Sequence, residues 1–493
     1  MNAHSSMSRL ILPFAALLMA SGVRAQWSND PTVNLVVSDL AGGTTQPKIA
    51  PMSDGGFYIS WLDNAADGYN VRLQRLDVDG NELWAHNGLL IADRHDPLVV
   101  DYGICTDPDD NAYVAFECCT FGTATERITL TKVTPDGSLA WGPFGIPASP
   151  ANQGALNAAC TPTDDGDIAV AWSSSSGVRA QKVDPAGSLL WSDLGALASS
   201  STGTNLVADL EPALQGDVIV SWNNIVGSTR IFFAQKLAAA DGSRLWNGGM
   251  PDRVFGAGNL ETYFYKFDAD GAGGGVFWDY DTVGSHDVPR VQHLDADGNP
   301  LLGADGIVAT TDDTIDHTNT SARFDAATGD IYAVWRDSRV DGAATADGVS
   351  AQLIDATGNL LWGDTGKVLV PLTDSSDGTN AISQPIALPA PGGFVASWVV
   401  GGDPAPDQPL RASYLDRNGN AVWPTTTVDA KTMRYTTHAV AAVSTSGYFT
   451  YAWTDGDESS GASTIRAQNI NLDGSLGNPA PSDEIFADGF DGG

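Results

Sequence analysis

The side chains of this sequence that are suited to binding or catalysis occur mainly in the connections between short apolar runs. We single out seven candidates, namely His95, His286, His317, Arg336, Asp337, Arg339 and His438. No histidine has a ligand-spaced partner such as H-x-H, so the spacing does not predict a zinc site. We therefore assign no catalytic residue and no metal ligand, and we treat the seven residues as candidates for binding.

The four cysteines are Cys105, Cys118, Cys119 and Cys160. An exported chain permits disulfides, and the number is even. Cys105 and Cys160 occupy matching positions in neighbouring repeats, which makes them partners if their strands approach within bonding reach. Cys118 and Cys119 would then form a vicinal disulfide or stay reduced. All three connectivities remain open at this stage.

Two Asp-rich turns of the form D-x-D-G-N, residues 77–81 and 295–299, are similar to the start of a calcium-binding loop. They lack the glutamate that completes an EF-hand loop, and Asp-Gly is also the usual sequence of a tight hairpin turn. We interpret them as hairpin turns and keep adventitious calcium as the alternative.

The charge of the chain excludes some classes of partner. The formal net charge of the 493 residues is −35. Each phosphate contact requires a cation, so this balance disfavours nucleic acid and anionic membrane as ligands. A glycan or a protein remains as the expected ligand, and we expect a monomer.

The two ends of the chain differ in character from its body. Residues 1–25 contain Arg9, an apolar run and a V-R-A ending, which predict a secretory signal peptide. No later stretch is long enough to cross a bilayer. We expect a protein in the periplasm, outside the cell or on its surface. Residues 479–493 form an acidic, Pro-flanked tail, either disordered or a sorting signal, and residues 26–478 form one domain.

A repeat of about 56 residues organises that domain, and all 14 tryptophans belong to one of two recurring positions. The first register contains Trp61, Phe116, Trp172, Trp222, Trp278, Trp335, Trp398 and Trp453. The second register contains Trp84, Trp141, Trp191, Trp246, Leu302, Trp362, Trp423 and, from the other end of the chain, Trp27. Uninterrupted repetition of this length is typical of one closed body.

Each repeat indicates four short strands separated by Asp/Gly turns, with apolar and polar residues alternating along the second strand. We expect the second strand to end at the first-register residue and the fourth at the second-register residue. A Gln recurs on the third strand in six repeats, and we expect it to bond to a neighbouring blade. The last repeat lacks a fourth strand, and the segment after Trp27 supplies one. The sequence therefore predicts an all-β, eight-bladed β-propeller of four-stranded antiparallel blades, closed by pairing of the N-terminal strand with the last blade.

The repeats resemble those of secreted bacterial β-propeller proteins, with the pattern W-x-D…Q-x-x-D-x-x-G-x-x-L-W. Residues 334–369 are the best copy, and the ending IFADGF resembles a tail of some exported Gram-negative proteins. Adjacent Cys118 and Cys119 and the run DATGNLLW are similar to features of quinoprotein alcohol dehydrogenases. His286, Arg336, Arg339 and Tyr280 are of the residue types that polysaccharide lyases on propeller folds use.

These observations favour a non-catalytic binding module. The second-to-third and fourth-to-first connections vary in length, and we call the side of the ring where they lie the variable face. Binding residues concentrate on such loops when a rigid scaffold holds them. An enzyme that acts on polysaccharide is the first alternative, and a quinoprotein-like oxidoreductase is the second.

Overall fold

The structure is a computed structural model that describes residues 26–65, 68–96, 99–118, 125–199, 202–255, 267–342, 344–402, 405–456 and 461–478. The predicted signal peptide and the C-terminal tail lie outside these residues. Within them, no helix has the length and apolar character that crossing a membrane requires.

The described residues form eight four-stranded antiparallel sheets. In chain order the strands are β1 (Leu35–Ser38); blade 1, β2 (Thr44–Pro51), β3 (Phe57–Ala65), β4 (Gly68–Leu76) and β5 (Leu89–Asp96); blade 2, β6 (Gly103–Thr106), β7 (Ala112–Cys118), β8 (Arg127–Val133) and β9 (Ile146–Pro147); blade 3, β10 (Leu156–Pro162), β11 (Ile168–Ser174), β12 (Gly177–Val183) and β13 (Ala196–Leu197); and blade 4, β14 (Thr204–Pro212), β15 (Val218–Val226), β16 (Thr229–Leu237) and β17 (Asp252–Arg253).

The second half repeats this order. It comprises blade 5, β18 (Phe267–Ala269), β19 (Gly275–Val283), β20 (His286–Leu294) and β21 (Ile307–Val308); blade 6, β22 (Asp316–Asp325), β23 (Asp330–Asp341), β24 (Ala344–Ile354) and β25 (Lys367–Asp374); blade 7, β26 (Ile382–Ala390), β27 (Gly393–Val400), β28 (Leu410–Asp416) and β29 (Val428–Lys431); and blade 8, β30 (Thr436–Val443), β31 (Phe449–Asp455) and β32 (Thr464–Ile470). Two short 3-10 turns, Leu214–Gly216 and Trp246–Gly249, lie in blade 4.

The predicted closure of the ring is confirmed. Strand β1 pairs antiparallel with β32 and completes blade 8, whose sheet order is β1-β32-β31-β30. The first strands of neighbouring blades contact one another around the whole ring, including β30 with β2, so they form its innermost wall. The eight-bladed propeller is therefore a closed ring that joins the two ends of the domain.

The first register forms the core between blades. Its tryptophans are almost completely buried, and each side chain lies in a cluster shared by two blades. Trp61 and Ile59 of blade 1, for example, pack with Ala452 and Ile465 of blade 8. Alternation along the second strand thus directs successive residues to the two neighbouring blades.

The second register is not where the sequence predicts it. These residues precede the fourth strand and lie in the loop between the third and fourth strands. The Trp191 Nε1–H group donates to the Ala239 carbonyl of the following blade at 2.9 Å, and Trp27 donates to Val78 in the same way. The ring of Trp27 covers Gly80, where an added Cβ would lie 2.7 Å from it. The D-x-x-G turn and the Trp of the preceding blade therefore form one inter-blade contact.

The recurring Gln bonds mainly within its own blade, which corrects the prediction of a bond to a neighbour except at Gln352, whose Nε2 also donates to the Ala309 carbonyl of blade 5 at 3.4 Å. Gln181 Nε2 donates to the Ser192 carbonyl at 2.9 Å, and its Oε1 accepts the Trp191 N–H. The residue that follows the second-register position is the partner in most blades. In blade 8 this partner is Ser28, to which Gln468 donates at 2.6 Å. The Gln side chain that holds the loop between the third and fourth strands in other blades therefore holds the N-terminal segment in blade 8.

Candidate functional site

The two faces of the ring differ in how their polar groups are used. On the face that carries the Asp/Gly turns, the Asp77 carboxylate accepts hydrogen bonds from the backbone N–H groups of Asp79 and Asn81. The Asp295 carboxylate accepts the equivalent bonds from Asp297 and Asn299. Both carboxylates are thus used within their turns. Among the described residues, no group of three or more His, Cys, Asp or Glu is arranged to hold a metal ion.

On the variable face, His317 and Asp337 come together in the interior of blade 6. His317 Nδ1 lies 2.6 Å from Asp337 Oδ1, and His317 Nε2 lies 3.1 Å from the Asp312 carbonyl. Trp335 Nε1–H also donates to Asp337, and the Ser350 hydroxyl donates to its second oxygen. Both residues are buried, so this network holds blade 6 together and does not face a ligand.

His286 and Arg336 connect neighbouring blades. His286 Nδ1 lies 3.1 Å from the carboxylate of Asp316 at the start of β22. Arg336 donates two hydrogen bonds to Asp347 at 2.8 and 3.0 Å. Asp347 also accepts the backbone N–H of Ile382 in blade 7. These contacts bind blade 5 to blade 6 and blade 6 to blade 7.

The other candidates lie apart from this group. Arg339 is exposed in the outer part of the long β23–β24 hairpin. His438 is exposed in a bulge of the innermost strand of blade 8, with φ 49°. His95 lies in β5, and its side chain is not among the described features. The six candidates with described side chains therefore do not form one site.

A disulfide joins Cys105 of blade 2 to Cys160 of blade 3, with their Cα atoms 5.9 Å apart. The innermost strands β6 and β10 bring the two residues within bonding reach. Cys119 lies outside the described residues, so its pairing with Cys118 stays a prediction.

A depression on the variable face lies where blades 8 and 1 meet. It is shallow, with a cavity volume of about 20 Å³, and is lined by Gly42, Gly43, Thr44, Thr45, Asn64, Tyr69 and Ser463. Asn64 Nδ2 donates to the Gly42 carbonyl, and Ser463 Oγ donates to the Thr44 carbonyl at 2.8 Å. The hydroxyl of Tyr69 has no hydrogen-bond partner within the described part of the chain. The lining thus combines an aromatic ring with hydroxyl and amide groups.

Glycine is required on the wall of this depression. An added Cβ on Gly42 would lie 2.3 Å from the Asn64 carbonyl oxygen, and its φ of 108° is unfavourable for other residues. The loop between β1 and β2 can therefore approach the end of β3 closely. Because β1 belongs to blade 8, the depression exists only when the ring is closed.

Comparisons with known proteins leave the family open. No protein-family model matches the sequence, and no curated protein matches it either. Among solved structures, the Dos1 propeller is 13% identical, with 88% of this chain and 95% of that chain covered and a TM-score of 0.46. The polysaccharide lyase Uly1 is 11% identical, with coverage of 80% and 93% and a TM-score of 0.43. An α-L-arabinofuranosidase of Fusarium graminearum is 11% identical, with coverage of 66% and 97% and a TM-score of 0.38.

These likenesses carry no functional argument, and the fold rests on the sheet order itself. The residues of the depression were absent from the sequence-based candidates. Asn64 and Tyr69 flank the second-to-third connection of blade 1, which the repeat places on the variable face. Their meeting with Ser463 depends on the closed ring, and no local motif in the sequence signals it.

Proposed function

We propose that the protein is an exported, non-catalytic module that binds carbohydrate at the depression between blades 8 and 1. The observation that supports this is the chemistry of the lining. Sugars present apolar C–H faces that pack on an aromatic ring, and hydroxyls that pair with short polar side chains. Tyr69 supplies the ring and the exposed Asn64 supplies an amide, while the buried Thr44 and Ser463 fix the wall behind them.

The form of the site agrees with binding. Ligand sites are concave and combine apolar surface with a few fixed polar groups. The hydroxyl of Thr44 and the hydroxyl of Ser463 are held by bonds between the two blades. These two buried residues fix the wall beside Asn64 and Tyr69, so the wall needs little ordering when a ligand enters, which reduces the entropic cost of association.

A glycan array probed with the mature protein, with and without calcium, tests this proposal. We expect Tyr69→Phe to weaken a specific signal several-fold and Tyr69→Ala to abolish it. Tyr69→Phe keeps the ring and its packing, so it separates the hydroxyl from folding. Leu214→Ser alters an exposed residue on the opposite face and serves as the matched control. Equal signals from Tyr69→Ala and Leu214→Ser would place the ligand elsewhere.

The same preparation distinguishes binding from catalysis. Any bound polymer is incubated with the protein, and the products are examined for unsaturated sugars and for new reducing ends. A binding module leaves the polymer intact. Unsaturated products would indicate a lyase, and new reducing ends alone would indicate a hydrolase.

A further inference from the structure

A cluster of positive charge lies on the variable face beside this depression, at the junction of blades 7 and 8. The carboxylate of Asp455, at the end of β31, is surrounded by three cations. Lys431 Nζ lies 2.9 Å from Oδ1, and Arg466 Nε and Arg434 Nη1 lie 2.9 and 3.2 Å from Oδ2. The carboxylate is buried, whereas the Arg434 side chain is 58% exposed. In the described part of the chain, one carboxylate thus contacts three cations.

This ratio is unusual in so acidic a protein, which has 25 Lys and Arg against 60 Asp and Glu. By contrast, Arg336 pairs with one carboxylate, Asp347, and Arg417 pairs with one, Asp330. Asp407 is the additional acid at the cluster, and it accepts the backbone N–H of Arg434 at 2.8 Å. Within the described residues, which exclude 457–460, the three cations still outnumber the two carboxylates of Asp455 and Asp407.

Arg434 is the exposed guanidinium of the cluster, and within the described residues it donates no hydrogen bond. Arg466 lies behind it: its buried Nε is close to Asp455 Oδ2 without the alignment of a hydrogen bond, and its Nη1 donates to the Asn34 carbonyl at 3.2 Å. Arginine donors are suited to planar oxyanions such as carboxylates, which accept two parallel hydrogen bonds.

The backbone supports a functional role for Arg434. Its φ is 71°, a conformation that side-chain-bearing residues adopt rarely and mainly where the surrounding structure requires it. The loop between β29 and β30 is anchored on both sides of it. The Gln408 N–H donates to the Arg434 carbonyl at 2.9 Å, and Lys431 Nζ donates to the Tyr435 carbonyl at 3.0 Å. The loop therefore presents Arg434 to solvent in a defined position.

The cluster and the depression are neighbours in blade 8. Asp455 pairs with Thr464 across β31 and β32, and Ser463, which lines the depression, directly precedes Thr464. The depression and the cluster therefore lie at the same end of β31 and β32, one on each side of blade 8.

We propose that Arg434 and Arg466 form a subsite for a carboxylate, so that the carbohydrate bound beside it is an acidic sugar chain containing uronic acid. This inference rests on the proposed function and specifies its ligand. The long-range field of the protein repels polyanions, so the subsite recognises the acid group only at short range. It thereby distinguishes a uronic acid from the neutral sugar of the same shape.

Oligogalacturonate and its fully methyl-esterified form test the proposal, because they share a backbone and differ in charge. Titration calorimetry with the mature protein should show at least about 10-fold tighter binding of the acid, the effect of one charge-assisted contact. Arg434→Gln should remove this preference and leave binding of the ester unchanged. Arg339→Gln, at an exposed arginine on the same face, should change neither. Equal affinities for acid and ester, or equal effects of the two variants, would overturn the carboxylate subsite while leaving carbohydrate binding intact.

A second measurement does not depend on polymer binding. Sodium galacturonate and galactose are compared at equal ionic strength for their effect on thermal unfolding. The acid should raise the melting temperature of the unmodified protein and should fail to do so in Arg434→Gln. Equal melting curves with both sugars would show that no carboxylate subsite exists. If galacturonate alone raises the melting temperature and no oligosaccharide binds, the carboxylate subsite is supported and carbohydrate binding at the depression is rejected.

Discussion

Blades 6 and 8 carry the same W-x-D carboxylate, and its surroundings differ. In blade 6, the Asp337 carboxylate accepts hydrogen bonds from Trp335 and Ser350 and faces His317, and all of these residues belong to the same blade. In blade 8, Asp455 faces Lys431 of blade 7 together with two arginines. The repeat thus places a carboxylate at the end of the second strand. The residues that approach from neighbouring elements decide whether it is structural or part of a charged surface.

The two blades also differ in how they are assembled. Blade 6 is continuous, with the long hairpin β23–β24, whereas blade 8 combines β1 with the last three strands of the domain. Both features proposed as functional, the depression and the cationic cluster, flank blade 8. Ring closure therefore brings together residues more than 400 positions apart, such as Thr44 and Ser463.

Deleting residues 26–38 removes Trp27 and β1, and we expect the largest effect from this change. Blade 8 loses its outer strand, and the packing of Trp27 on Gly80 is lost. The loss of buried area and the new open edge should cost on the order of 5 kcal/mol or more of unfolding free energy. Denaturant unfolding measures it, with Val340→Ser in the exposed blade 6 hairpin as control. A denaturant unfolding curve like that of the control would contradict the role of β1 in closing the ring.

Asp455→Asn should have the next largest effect, because it leaves three cations without their carboxylate. Removing one partner of a buried ion pair costs about 3 to 5 kcal/mol. The repulsion between the remaining cations is electrostatic, so added sodium chloride should recover part of the loss. Unfolding free energies at low and high salt provide the measurement. A loss that does not depend on salt would mean that the three charges do not act on one another.

Asp337→Asn should cost less, about 2 to 3 kcal/mol, and the loss should not change with salt. An amide keeps one acceptor oxygen but cannot accept hydrogen bonds at both positions, so one buried donor loses its partner. The same unfolding experiment compares the two variants directly. Matching salt dependence in Asp337→Asn and Asp455→Asn would remove the distinction between the two blades.

The fold was predictable because the same pattern occurs eight times in the sequence. The blade number follows from the spacing of the 14 tryptophans and from the uniform Asp/Gly turns. The closing strand follows from Trp27, which lies at the opposite end of the chain from the repeat that it completes. The position of the fourth strand was predicted wrongly, since the second-register Trp precedes it and docks on the next blade. Alternation identifies a strand but does not show that an adjacent Trp belongs to a loop.

The candidate site was less predictable, and the reason is physical. His317, Asp337 and Arg336 were chosen for their residue types and their place in variable loops, and all three are engaged in contacts within and between blades. Tyr69, Ser463 and Arg434 lie in separate repeats. Their proximity follows from the closed ring and from loop conformations such as that of Arg434, which local sequence does not encode in a recognisable way.

The smallest effect that we predict is a pH dependence from Lys431. Burial lowers the pKa of Lys431 to about 8 despite the opposing effect of Asp455, and the guanidinium groups of Arg466 and Arg434 add to the decrease. The unfolded chain keeps an ordinary lysine pKa of about 10.4, so between these values the unfolded state binds more protons than the folded state. Stability should therefore rise as the pH increases from about 8 toward 10.

Lys431→Met should remove that slope while keeping much of the side-chain volume. Unfolding free energies of both proteins at pH 7.5 to 10 give the comparison, and Lys182→Met provides a control at a buried lysine paired with Asp165 and Asp167. A slope that persists in Lys431→Met would assign it to another group. A slope lost only in Lys431→Met would assign it to the burial of this lysine in the Asp455 cluster, a cation for which the network of Asp337 has no counterpart.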